Sequence, residues 1–107
     1  MESAEAIERV FAVDADQTIP LTRISATSSE ALLEMVRAVL GVEAICAQPD
    51  AAASPDGSWD EDEWTALVSV LVLEGVSAIE TMHPKLARRI FDTHAAIRAA
   101  DERVVGA

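Results

Sequence analysis

The sequence predicts an all-α protein, a small helical bundle of about four helices in a single domain over residues 1–107. Apolar residues recur at helical spacing in three long segments, and two of these segments begin with capping motifs. Aromatic residues make up only 4% of the chain and tyrosine is missing, so aliphatic and small side chains must build the core. Small side chains at the contacts allow helices to pack closely.

The N-terminal segment fits either a helix or a strand. If residues 2–13 form a short helix, three apolar side chains, Ile7, Val10 and Phe11, lie on one of its faces. The alternation over 11–13 suits a strand equally well, and Pro20 disfavours a helix just before it. We therefore expect a short helix or a short extended segment at the start, followed by a loop over 14–26 that lays an extended piece on the core.

The second predicted helix has a well-defined start. Thr27 and Glu30 form a capping box, in which each side chain satisfies a free backbone amide of the first turn. Gly41 is either a natural stop or a kink, because residues 42–47 are apolar enough to continue as a further helical turn or as a second short helix. The apolar face of this helix consists of Leu32, Leu33, Val36, Val39 and Leu40.

Residues 48–58 have the composition of a flexible loop between the second and third helices. The segment contains Pro49, Pro55 and Gly57 together with small and acidic residues. A loop of this length in a small domain is either disordered or functional.

The third predicted helix runs from Trp59 to Met82 and is the strongest signal in the chain. Asp60 and Glu63 form a second capping box at its start. Trp59 and Trp64 occupy the two positions of a hydrophobic staple, so we expect their indoles to meet.

The body of this predicted helix is apolar on almost every side. The run 66–73 has no charged residue, and a helix that is apolar all round must be surrounded by other elements. Gly75 falls on the predicted buried face and indicates a close helix–helix crossing. Because so short a chain offers few covering elements, we predict a homodimer, either through the side that carries Val70 and Leu73 or through the fourth helix.

The fourth predicted helix follows a proline. Pro84 fits the first helical position, where its missing N–H is not needed, and the helix should run to about Arg103. Its inward side chains are Leu86, Ile90, Ile97 and Val104, and its water-facing bases are Lys85, Arg88, Arg89, Arg98 and Arg103.

The charge balance restricts the classes of partner. The chain has 19 acidic and 8 basic residues and a formal net charge of −11. Such a surface repels nucleic acids and anionic membranes and suits a basic protein partner, so we expect no direct contact with nucleic acid. The bases are almost all arginine, which is typical of a GC-rich bacterial or phage genome.

Nothing in the chain predicts targeting or membrane insertion. The N-terminus lacks a basic region followed by an apolar run, and the stretch 66–73 is far shorter than the ~20 residues of a membrane helix. Cys46 has no second cysteine with which to form an internal disulfide. We therefore expect a cytoplasmic protein.

Two pairs of residues bear on catalysis, and neither predicts an enzyme. Glu80 and His83 have the E-x-x-H spacing of di-iron carboxylate bundles, but on a helix Glu80 would lie opposite the apolar face. Cys46 pairs with a histidine only if the fold brings them together, and its apolar neighbours raise the pKa of its thiol. His94, on the apolar side of the fourth helix, fits a hydrogen-bonded core position. We expect no metal, no cofactor and no catalytic residue.

The order of the segments also resembles a group of known proteins. Phe11-x-Val13 is followed by a leucine-rich helix at 29–40, a small-residue stretch at 44–47 and an aliphatic helix. This order, which covers 11–82, resembles small pseudomonad all-helical proteins of unknown function. The resemblance implies a small bacterial helical protein and no particular activity; the insert at 48–58 and the basic last helix depart from it.

These features predict a non-enzymatic interaction protein: an adaptor, anti-activator or inhibitor that docks on a protein partner such as a transcriptional regulator. The alternative is an acidic nucleic-acid mimic of the anti-restriction or anti-CRISPR type, and a metal-dependent or thiol enzyme is the least favoured class. The predicted partner-binding residues are Trp59, Asp60, Glu61, Asp62, Glu63, Val70 and Leu73.

Overall fold

The computed structural model describes residues 6–106, the last three by their backbone alone. Within this range the chain forms four strands and four helices in the order β1 (Glu8–Phe11), β2 (Thr22–Ser25), α1 (Ser29–Val39), β3 (Ile45–Gln48), α2 (Asp50–Ala53), α3 (Glu61–Glu74), β4 (Ala78–Thr81) and α4 (Pro84–Gly106). The start of the predicted N-terminal segment, at 2–5, and the side chain of Val104 lie outside the described residues.

The prediction of an all-α helical bundle is wrong, because the fold is α/β with a four-stranded mixed sheet. Each strand has only four residues, too few to establish an alternating pattern. Strand β3 was predicted as a helical turn, since its run of apolar residues gives no period. Strand β4 was predicted as the end of the third helix.

The strands lie in the order β1-β4-β3-β2, with β2, β3 and β4 parallel and β1 antiparallel to β4. Helix α1 connects β2 to β3, and α2 and α3 connect β3 to β4. The right-handed rule for such crossovers places these helices on the same face of the sheet. Helix α4 packs beside α3 and against β1 and β4, which completes a single helical layer.

Alternation along the strands separates a core face from an opposite face. One row of register neighbours points toward the helices and consists of Val10, Ile79, Ala47 and Ile24. The same core cluster contains, from the helices, Leu32, Val36, Trp64, Leu67, Val68, Leu71, Ala87, Ile90 and Phe91. The core therefore lies between the sheet and the helical layer.

Helix α3 is shorter than predicted, because it stops at Glu74 rather than at Met82. Gly75 has φ 107° and donates to the carbonyl of Val72, while Val76 donates to the carbonyl of Leu71. These two bonds define a Schellman motif, the commonest use of a glycine at a helix end. Gly75 therefore ends the helix and directs the chain into β4, and the predicted helix crossing at this residue is wrong.

The predicted helix starts are largely confirmed. Asp60 caps α3, with its carboxylate accepting from the backbone amides of Asp62 and Glu63 at 3.0 and 3.2 Å. Helix α4 begins at Pro84, as the sequence predicts. The cap of α1 is Ser28 rather than Thr27, and its hydroxyl accepts from the amide of Ala31 at 3.1 Å.

Part of the segment 48–58 is regular. Gln48 ends β3 and α2 follows at once, with Ala52 and Ala53 buried in the core cluster. The segment was predicted as a loop because alanines beside prolines have the composition of a linker. Small side chains, however, also let a short helix pack tightly. Here α2 lies against both α1 and α3.

We expect Gly75→Ala to lower the free energy of unfolding by about 1–2 kcal/mol, because a side chain disfavours positive φ. The added Cβ would meet Leu40 Cδ2 at 3.7 Å, an ordinary contact, so the loss is conformational rather than steric. Gly75→Asn should cost less, since asparagine tolerates this region. Urea denaturation measures both variants, and an alanine variant as stable as the parent would contradict the assignment.

Candidate functional site

The sheet face opposite the helices carries an organised cluster of polar side chains. Its two register rows are Phe11, Ala78, Cys46 and Arg23, and Arg9, Glu80, Gln48 and Ser25; we call this the open face. Within the described residues no helix packs on it. Cys46 and Ala78 are nonetheless fully buried while lying outside the core cluster, so neighbouring side chains must cover them.

Glu80 is the centre of the open face and contacts a side chain from each of the other three strands. Arg9 of β1 donates from Nε and Nη2 to Oε2 at 3.0 and 2.7 Å. Gln48 of β3 donates to Oε1 at 2.6 Å, and Arg23 of β2 donates to the same oxygen at 3.0 Å. Because β2 is two strands away from β4, the side chain of Arg23 crosses over β3 to make this bond.

These contacts keep Glu80 ionised although it is only 9% exposed. Burial raises the pKa of its carboxyl, but the hydrogen bonds from Gln48, Arg9 and Arg23 together outweigh burial, and the net pKa is below the usual glutamate value. A buried carboxylate with four charge-assisted or amide donors meets the general requirement that buried charges be paired.

Cys46 lies beneath this cluster. Burial, together with the negative charge of Glu80, raises the pKa of its thiol to about 11, which confirms the direction expected from its apolar neighbours. The charged groups that act on the thiol are Glu80, Arg9 and Arg23, and neither histidine is among them. The arrangement does not form a nucleophile pair.

A second polar cluster lies at the carboxyl end of β3 and β4 and is organised by Asp50. Its carboxylate accepts from Trp64 Nε1 at 2.8 Å, from the hydroxyl of Thr81 at 2.7 Å and from the backbone amide of Met82 at 2.8 Å. The hydroxyl of Thr81 in turn accepts from the amide of His83 at 2.9 Å. One carboxylate therefore joins α2, α3, β4 and the turn that leads from β4 to α4.

Three aromatic rings lie on this cluster. Trp59 stacks on His83 with ring centroids 4.0 Å apart and an interplanar angle of 26°. Trp64 meets Trp59 at 6.0 Å, which confirms the predicted contact between the indoles, and contacts the edge of His83 at 5.8 Å. Trp64 is fully buried, whereas Trp59 keeps 46% of its surface exposed.

Exposed acidic and apolar residues lie next to Trp59 and to His83 along the chain. Met82, which follows β4 directly, is 41% exposed. Glu61, Asp62 and Glu63 are exposed in the first turn of α3, next to Asp60. We call the surface formed by Trp59, Met82, His83 and residues 60–63 the carboxyl-end patch.

The predicted partner-binding residues do not form one surface. Trp59 and residues 60–63 lie in the carboxyl-end patch, at the start of α3. Val70 and Leu73 lie about two to three turns further along, on the side of α3 that faces away from the sheet. Leu73 is 71% exposed and Val70 is half-buried.

Sequence reasoning missed the roles of Asp50, Thr81 and Glu80. The sequence did contain a signal for Asp50, because this residue follows a short apolar run and a proline. A polar residue in that position is typical of the end of a buried strand. Glu80 and His83 were considered as a metal half-site on a helix. They lie instead on and just after a strand, where Glu80 contacts arginines and His83 contacts Trp59.

Metal ligation has no geometric support in the part of the chain that the structure describes, where no three His, Cys, Asp or Glu side chains group closely enough to hold an ion. His94 lines a groove of about 500 Å³ at the opposite end of the sheet, together with Asp14, Asp16 and Arg98. The carboxylate of Asp16 accepts from Thr18 and so shapes its own loop. The groove lacks a bonded network comparable to those of Glu80 and Asp50 among residues 6–106.

No protein-family model, no curated protein and no solved structure matches this chain. The resemblance to small pseudomonad proteins stays a prediction, and the all-helical fold that it implies is wrong here. Across residues 6–106, no helix has both the length and the apolar character needed to cross a bilayer.

We expect Glu80→Gln to lower the free energy of unfolding by about 2–4 kcal/mol, because it leaves two arginines above a buried face without their counter-charge. Glu74→Gln is the matched control, since it breaks the exposed Arg37–Glu74 ion pair and should cost less than about 1 kcal/mol. Equal losses in urea denaturation would contradict a special role for Glu80.

The difference between the parent and Glu80→Gln should depend on pH. The pKa of Glu80 is lowered in the folded protein, so its contribution is complete above the unfolded glutamate pKa of about 4.3 and is lost as pH falls through the folded value. The two denaturation midpoints should therefore converge in acid. A gap that persists at strongly acidic pH would assign the effect to packing instead.

Cys46 should react slowly with an aromatic disulfide reagent at neutral pH, because the pKa of about 11 leaves little thiolate and the side chain is buried. Unfolding in urea should expose the thiol, so that labelling becomes rapid and stoichiometric. Rapid labelling of the folded protein at neutral pH would show that the cover over Cys46 opens readily.

Proposed function

We propose that this protein is a non-enzymatic, cytoplasmic interaction module that docks on a basic protein partner through the carboxyl-end patch. The single observation that carries the proposal is the state of Trp59. It is half exposed, yet it is held by a stacked His83 and by the buried Trp64. Tryptophan is among the residues that contribute most to protein–protein affinity.

Pre-organisation makes Trp59 suitable as an anchor. The bonds of Asp50 to Trp64, Thr81 and Met82 fix the surface on which the Trp59 indole rests. An anchor whose orientation is already fixed loses little conformational entropy on binding, so more of its burial contributes to affinity. Exposed Met82 adds an adaptable apolar contact next to it.

The charge around the anchor defines the chemistry of the partner. Glu61, Asp62 and Glu63 form an exposed acidic rim, and the chain as a whole carries −11. Such a field accelerates encounters with a basic surface and repels acidic ones. The best-fitting partner therefore has an apolar pocket flanked by lysine or arginine.

Nucleic-acid mimicry is less well supported. Asp60 uses its carboxylate to cap α3, so one of the four consecutive acids is committed to the helix. The acids also lie together at the start of one helix rather than forming an extended line of charge. The buried thiol of Cys46, with its raised pKa, gives equally little support to a thiol enzyme.

The test begins with affinity capture from a lysate of the source organism and isolation of a stoichiometric partner. Trp59→Ala should then weaken binding of that partner by roughly tenfold or more, as loss of an anchor typically does. Ile97→Ala is the control, because it removes another exposed apolar side chain, on α4. Unchanged affinity of the Trp59 variant, or no partner at all, would overturn the proposal.

A neutralised variant separates docking from mimicry. Glu61→Gln, Asp62→Asn and Glu63→Gln together remove the rim but keep the Asp60 cap. For docking on an apolar anchor, the association rate should fall and lose much of its salt dependence while binding persists. Complete loss of binding in this variant, with Trp59→Ala unaffected, would favour the mimic.

A further inference from the structure

We propose that two copies of this chain pair through the outward side of α3, with the two α3 helices antiparallel. The residues concerned are Ala66, Ser69, Val70 and Leu73, which we call the α3 ridge. They lie opposite the side of α3 whose side chains are buried in the core: Trp64, Leu67, Val68 and Leu71. This surface is separate from the carboxyl-end patch.

The ridge is a stretch of helix surface on which two acidic copies can meet without contact between like charges. The segment of α3 from Trp64 to Leu73 spans about three turns and has no charged side chain. In the whole chain, by contrast, a quarter of the residues are charged. Each copy carries −11, and the ridge lets two copies meet without placing acidic side chains against each other. The ridge also includes Leu73, whose side chain is 71% exposed.

The ridge is complementary to itself. A two-fold axis that passes between Ser69 and Val70 brings Leu73 of one copy onto Ala66 of the other, because these residues lie equally far from the axis. The pair combines a large side chain with a small one, so the leucine fills the space that the alanine leaves. Two-fold symmetry makes this contact twice.

Charge selects the antiparallel orientation. Parallel helices would bring the acidic residues 60–63 of both copies together. Antiparallel helices separate them by the length of α3, which has 14 residues and spans about 21 Å, well beyond the ~8 Å over which salt screens charges. Opposed helix dipoles also favour this orientation.

An arginine is placed to pair with the acids of the second copy. Arg37 of α1 bonds to Glu74 at 2.8 Å at the end of α3, and its side chain stays 55% exposed. Glu63 lies eleven residues before Glu74, about three turns, and therefore on the same flank of α3. A two-fold axis across the helices keeps α1 of both copies on one flank, so Arg37 of one copy lies near Glu63 of the other.

Sedimentation analysis of the purified chain, without any partner, tests the association. The parent should sediment as a dimer of the 11.4 kDa chain, and Leu73→Glu should raise the dissociation constant roughly tenfold or more by burying a charge. Val42→Glu is the matched control, because Val42 is 81% exposed and lies outside the ridge. A monomeric parent, or a Leu73→Glu dimer as tight as the control, would overturn the proposal.

Disulfide trapping tests the orientation. In a Cys46→Ala background, chains with Ala66→Cys and chains with Leu73→Cys should cross-link with each other when mixed, and neither should cross-link efficiently with itself. In the antiparallel pair, the two copies of position 73 lie about 10 Å apart along the helices. Efficient self-cross-linking of the Leu73→Cys chain would show parallel helices and overturn the arrangement.

Charge reversal provides an independent measurement. Arg37→Glu and Glu63→Arg should each weaken the dimer, and the double variant should recover most of the loss because the pair is restored with opposite polarity. A double variant weaker than either single variant would exclude the contact. Circular dichroism of each variant identifies any that fail to fold. Failure of these tests leaves the docking of Trp59 untouched, since capture experiments report on that surface separately.

Discussion

The fold depends on one ionised carboxylate, that of Glu80, at the centre of the face that the helices leave uncovered. With four residues in each strand, the backbone ladders alone are short, and the sheet needs additional cross-strand contacts. Glu80 supplies one to every other strand, and the two arginines that it holds also act on the buried thiol of Cys46. A two-layer protein must also cover the far side of its sheet, and long charged side chains with apolar stems are suited to this.

Asp50 plays the corresponding role at the carboxyl end of the parallel strands. Its two oxygens accept from an indole, a hydroxyl and a backbone amide that belong to different elements. The consequence extends outward, since Trp64 is fixed by this bond and Trp59 rests on Trp64 and His83. In a chain with a large acidic excess, two of the acids therefore organise the interior and its edge, while most of the others remain on the surface.

The sequence was sufficient for the starts of α3 and α4, which depend on local chemistry, and insufficient for the strands. Asp60 and Pro84 were located correctly because a cap and a proline act within one turn. Strands β3 and β4 were missed because four residues are too few to show a period, and because a glycine such as Gly75 fits both a helix interior and a helix end. The partners of Glu80 are 32 to 71 residues away along the chain, a distance over which local patterns give no information. The indole contact was predictable, but its support by Asp50 and His83 was not.

The pairing of β1 with β4 has a consequence for the order of assembly during synthesis. Arg9 and Glu80 are 71 residues apart, so the first strand leaves the ribosome long before the strand it will join. The parallel unit from β2 to β3 can form earlier, but the central position of the sheet stays empty until β4 emerges, and β1 has nowhere to bind until then. Contacts between distant residues of this kind slow folding. The nascent chain therefore carries an unpaired β3 edge while residues 49–77 are synthesised, and a chaperone that shields β3 would act during that interval.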